Sequence, residues 1–188
     1  MALRLFRTTG YSTLLMPGEA RLGLHPARLV AAASLWLALA CNVSLWRLLG
    51  DRTGLEAIAV HGWAVLASVA LVAGASATVL SLLGWRRTLK PAVTLALLAG
   101  ALTACALWSR KLPVAALWQG PPGTLLPDWT SFMRWQVLAL FSALGLLPVV
   151  WAWNVAMRRL PGPEQLRSNL AGAAIGAAVF ALGLLLPA

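Results

Sequence analysis

Apolar positions fall into five long stretches, and most charged residues lie between them. The stretches follow neither the strict alternation of a strand nor the single apolar stripe of a surface helix. A run of about 20 apolar residues is what a helix needs to cross a bilayer core of ~30 Å. The pattern therefore predicts membrane helices over residues 28–46, 58–83, 91–108, 134–157 and 169–186. The third is the shortest, near the minimum for a crossing at ~1.5 Å per residue. Residues 1–27 read as a cytoplasmic lead-in: Gly10, Pro17 and Gly18 interrupt the apolar run, and no small-residue cleavage site follows. The expected fold is an all-α integral membrane protein, a bundle of five transmembrane helices.

Polar and small residues inside the stretches carry more detail. Asn42 is the strong hydrogen-bonding side chain of the first span, and an amide in lipid needs partners, so it should face other helices and bind them together. Ala67, Ala70, Gly74 and Ala77 recur three or four apart in the second span, and Gly172 and Gly176 form GxxxG in the fifth. Both are faces that let helix backbones approach closely. Pro148 in the fourth span should kink it or leave one carbonyl unpaired. Between the fourth and fifth spans lies RRLPGPEQLRSN, residues 158–169, a basic turn joining two apolar helices.

Composition fits this picture. The 188 residues are 60% hydrophobic and 11% charged, with a formal net charge of +10; soluble domains carry about 25% charged residues. In a soluble protein such a positive balance would point to nucleic acid. Here the bases cluster beside apolar spans, where they meet lipid phosphates and set orientation, so no nucleic-acid partner is expected. With the N-terminus cytoplasmic, ten bases fall in the inner segments and five in the outer ones. The positive-inside rule then puts the C-terminus on the outer, periplasmic side of a bacterial inner membrane. Cys41 and Cys105 lie inside apolar segments without CxxC spacing and read as buried thiols.

Catalytic groupings are missing. The acids Glu19, Asp51, Glu56, Asp128 and Glu164 are scattered, and His25 and His61 lie far apart. There is no HExxH, GxSxG or P-loop. No span holds an internal charge, so the usual residues of a proton relay or ion-coupled transporter are lacking. No catalytic or metal-ligating residue is assigned in this chain.

Three segments carry a resemblance. SLWLALACNVSLW (Ser34–Trp46), RRTLKPAVTLALLAGALTA (Arg86–Ala104) and RWQVLALFSALGLLPVVWAWNVAMRRLPGPEQLRSNL (Arg134–Leu170) are similar to the first, third and fourth-to-fifth helices of the phosphoethanolamine transferases that modify lipid A. These enzymes belong to the sulfatase/alkaline-phosphatase-like group. The resemblance spans roughly residues 25–188 and rests on apolar patterns with a few fixed polar points. It implies five membrane helices that deliver the chain to a periplasmic, zinc-dependent catalytic domain. The family's nucleophilic threonine and zinc ligands belong to that domain and have no counterpart here. The long loop, Ser109–Ser131, also lacks the family's Tyr-Gly-Val-Ile-Asp-like and Asn/Thr/Glu stretches, and its one acid is Asp128.

The resemblance implies a role in anchoring and in presenting lipid substrate, with phosphatidylethanolamine and lipid A as lipid partners and a catalytic domain as protein partner. Arg110, Lys111 and Arg134 are the candidate lipid-phosphate contacts, because phosphate oxygens favour guanidinium and ammonium donors. The alternative is a stand-alone, non-enzymatic membrane scaffold or accessory subunit, to which the GAAIG face and uncharged spans are equally suited.

Overall fold

A computed structural model describes residues 23–50, 55–85, 87–110, 133–158 and 160–186. The helices are α1 (Pro26–Leu39), α2 (Val43–Gly50), α3 (Leu55–Leu82), α4 (Leu89–Arg110), α5 (Trp135–Phe141), α6 (Leu147–Asn154) and α7 (Gly162–Leu185). A π-helical turn, Ser142–Leu146, joins α5 to α6. The described residues contain no strand, though Leu24 and Met157 make an isolated parallel bridge. Four segments are long and apolar enough to cross a membrane: Gly62–Leu82, Leu89–Ser109, Trp135–Asn154 and Gly162–Leu185. Outward-facing apolar side chains such as Leu95, 70% exposed, and Leu147, 67% exposed, would be a liability in water. Against lipid chains they are matched. The chain is a multi-pass membrane protein.

The first span departs from the single helix expected over 28–46. It is broken, α1 ending at Leu39 and α2 starting at Val43. The 14 residues of α1 rise only ~21 Å, less than a bilayer core. Asn42 explains the break: its Oδ1 accepts from the Leu45 amide at 3.3 Å, satisfying one of the free donors that begin α2. Its Nδ2 reaches Ser68 Oγ on α3 at 3.5 Å. Asn42 thus starts a new helix while its amide nitrogen lies at the limit of hydrogen-bond distance from α3. Trp46 Nε1 donates to the Leu39 carbonyl at 2.9 Å, covering an acceptor at the end of α1. At the other end His25 caps α1, its Nδ1 accepting from the Ala27 amide at 3.2 Å beside Pro26 in the first turn.

Pro148 acts through a neighbour. Its missing N–H frees the carbonyl four residues back, at Leu144. There Trp36 Nε1 of α1 donates at 3.0 Å. The π turn ends two residues before the proline, with the Leu147 amide bonding Ser142 O five residues back. The last helix begins earlier than the expected residue 169, at Gly162, with Pro at its first turn and Glu164 near its N-terminus. Both residue types favour a helix start.

Two contact systems hold the bundle. In the first, α3 and α7 form the most extensive helix pair. Glycines set their separation: a Cβ on Gly176 would lie 2.7 Å from the Thr78 backbone nitrogen, and one on Gly183 would lie 3.0 Å from that of Leu71. Gly74 faces the Phe180 backbone in the same way. The small-residue faces expected in the second and fifth spans therefore meet each other. In the second system, Leu29, Val30, Ala33 and Leu37 of α1 pack with Leu80, Val93, Leu97 and Ala152 into the main apolar core.

The bonds between loops show which segments share an end. Leu24 N donates to Ala156 O at 2.8 Å, and Arg158 N to Leu24 O at 3.0 Å. Lys90 Nζ donates to the carbonyls of Trp153 and Val155, each at 3.0 Å. Gln165 Nε2 donates to Gly84 O at 2.7 Å. Residues around 24, 84–90 and 153–165 are thus gathered at one end, the end whose segments (1–28, 84–90 and 158–167) hold ten of the 15 bases in the sequence. At the opposite end Arg47 Nη2 donates to Leu107 O at 2.6 Å, near the C-terminus of α4. A cation there also meets the negative end of the helix dipole.

Candidate functional site

The end of the bundle that carries Arg47 holds a cavity of about 670 Å³. It lies between the α1–α2 break, the C-terminal half of α4 and α5. Trp46 and Trp108 stand in its wall with Gln136, Cys105 and Arg134. Local structure explains each position. The Asn42 cap turns α2 so that Val43, which is buried, packs on Ala104 and Leu107 while Trp46 stays exposed. Arg134 is the residue before α5, in extended conformation, with no capping bond from its side chain.

Arg134 is exposed, and its guanidinium has no hydrogen bond or ion pair to any described residue. Its neighbours Met133 and Trp135 are 76% and 74% exposed. An apolar wall, two tryptophans and a cation at the rim form the arrangement of a membrane interface, where indole rings sit at headgroup level. Cys105 is enclosed, its Sγ 4.0 Å from Val137 O. The cavity has donors for an anion at its rim and apolar surface for a chain behind them. Among the described residues it offers no nucleophile paired with a base.

Of the sequence-derived candidates, Arg134 is placed on this cavity. Arg110 ends α4, its side chain outside the described residues, and Lys111 lies outside them too, with the rest of the loop up to residue 132. Asn42 sits in the helix break as a structural residue. Sequence reasoning missed Trp108, Gln136 and Trp46 as companions of Arg134; the one signal was aromatic residues near span ends. Among the described residues no three His, Cys, Asp or Glu side chains come together to hold a metal. Nothing described here fits the zinc that the resemblance associates with a separate catalytic domain.

No family model, curated protein or solved structure matches the chain.

Proposed function

We propose that the chain is the membrane domain of a phosphoethanolamine transferase acting on lipid A, anchoring that activity in the bacterial inner membrane and presenting a lipid headgroup to a periplasmic catalytic domain. One observation carries the reading: Arg134, without a described partner, stands at the rim of a tryptophan-walled cavity at the end opposite the base-rich segments. The positive-inside rule assigns that end to the periplasm. A lipid phosphate at the rim would receive guanidinium donors, while its acyl chains lie along the apolar wall. A separation of lipid binding from chemistry is in keeping with described span residues that pair no nucleophile with a base.

The test is expression of residues 1–188 in cells lacking endogenous activity, alone and with a periplasmic catalytic domain of this transferase class. Lipid A is then read by mass spectrometry. Modification only when both are present, reduced when Arg134 is changed to Gln, is the expected outcome. Unmodified lipid A in every combination, with both proteins shown to be in the membrane, would overturn the reading and favour a non-enzymatic scaffold.

A further inference from the structure

A second cleft lies at the base-rich end, away from Arg134. Both α1 and α7 pack on α3 but touch each other little, which leaves a groove of about 300 Å³ between them. Its floor is small, formed by Gly74 and Ala77 of α3 with Gly172 of α7. Two polar groups inside it have no partner. Ser34 is 3% exposed, and its hydroxyl makes no hydrogen bond, not even to a carbonyl of its own helix. The Asn169 amide nitrogen is likewise buried and unbonded, although its oxygen packs against Gly84.

Orphaned donors in a membrane bundle are unfavourable, because no water reaches them. The volume is about ten times a water's share of the liquid, roughly 30 Å³, so one trapped water does not account for it. The shape asks for an apolar chain with acceptor oxygens near one end. The charge at the mouth narrows the choice. The charged residues described at this end are Arg28, Arg87, Lys90, Arg158, Glu164 and Arg167, five bases to one acid. Arg28 and Arg167 directly adjoin the lining residues Ala27 and Ser168. Lys90 is committed to the carbonyls that end α6.

We propose that the α1–α3–α7 cleft binds an anionic phospholipid of the leaflet at the base-rich end. One acyl chain lies over the glycine floor, ester oxygens accept from Ser34 and Asn169, and the phosphate faces Arg28 and Arg167. This site stands independently of the outer cavity and of any transferase role.

The test uses the full chain in dodecyl maltoside, with phosphatidylglycerol or phosphatidylcholine added, bound lipid counted by native mass spectrometry. Wild type should retain about one phosphatidylglycerol in preference to phosphatidylcholine. The Ser34→Ala/Asn169→Ala double variant should bind it roughly tenfold more weakly. Its lipid-free melting temperature should stay level or rise, since two unpartnered groups are gone. Ala31→Leu, at the rim and off the α3–α7 seam, should block retention by filling the cleft. Equal retention by all variants would overturn the proposal, as would equal retention of the two lipids. A concentration-dependent dimer abolished by Ala31→Leu would give the cleft to a second copy and overturn it too.

Discussion

Adding one methyl group should change stability in opposite directions at two glycines. At Gly176 an added Cβ would meet the Thr78 backbone nitrogen and Oγ1, both at 2.7 Å, and the Gly74 carbonyl oxygen at 3.0 Å. Ordinary carbon contacts sit at about 3.5–4.0 Å, so α3 and α7 must part by roughly 1 Å. The obstruction includes backbone, which cannot swing aside. Overpacking of this kind costs about 1–3 kcal/mol, while alanine regains up to about 1 kcal/mol of helix propensity. Gly176→Ala should therefore be destabilising by about 1–2 kcal/mol. At Gly62, earlier in α3, no described atom beyond the helix's own backbone lies within 4 Å of the added atom. Only the propensity gain remains, so Gly62→Ala should stabilise by about 0.5–1 kcal/mol. The assay is reversible unfolding by SDS in dodecyl maltoside micelles, followed by far-UV circular dichroism. If Gly176→Ala proves neutral, or as stabilising as Gly62→Ala, the glycine-set approach of α3 and α7 is refuted.

Three further outcomes are read by the same unfolding assay. Trp36→Phe removes the donor to Leu144 O and should cost about 1 kcal/mol; in a Pro148→Ala background, where a new amide supplies that carbonyl, the loss should vanish. A cycle with no coupling between the two positions would refute the link. Lys90→Met strips the donor from the Trp153 and Val155 carbonyls and should destabilise by about 1–2 kcal/mol, with Lys90→Arg retaining most of the stability. Asn42→Ala loses the cap of α2 and the Ser68 bond, about 1 kcal/mol, whereas an unchanged midpoint would mean that the α1–α2 break does not depend on its amide.

The parts of this fold legible in the sequence were those written in long, redundant patterns. Apolar length located the four spanning helices, and the spacing of Gly74, Gly172 and Gly176 marked two faces that meet. Single-residue geometry was harder to read. Asn42 was legible as a helix-binding amide but not as a cap, because a capping residue is recognised from the loop before it, and here the preceding residues are as apolar as a helix interior. The early start of α7 did carry a signal, Pro161–Gly162–Pro163–Glu164, masked by the arginines around it. At the candidate site only Arg134 was visible, as a base beside a span. Trp46, Trp108 and Gln136 join it through the tertiary fold, and no spacing along the chain encodes that.

Lipid imposes a rule that orders the remaining polar residues: a carbonyl freed by a helix end or a proline finds no water, so a side chain must reach it. Trp36 serves Leu144, Trp46 serves Leu39, Lys90 serves Trp153 and Val155, Arg47 serves Leu107, and Gln165 serves Gly84. Net charge alone therefore overstates what the protein offers to phosphate. Arg47 and Arg134 lie toward the same end, yet Arg47 is half-buried and bonded to α4, while Arg134 has no described partner. Their neutral variants should separate. Arg47→Gln should lower the unfolding midpoint by about 1–2 kcal/mol through the loss of a charge-assisted bond, with lipid-phosphate binding reduced less than in Arg134→Gln. Arg134→Gln should leave the midpoint within about 0.5 kcal/mol, as exposed substitutions do, and should weaken binding of phosphate-bearing lipid. Both quantities are measurable on one preparation, by SDS unfolding and by lipid titration. If Arg134→Gln unfolds the protein, or Arg47→Gln alone lowers binding, the division between structural and ligand-facing cations is wrong.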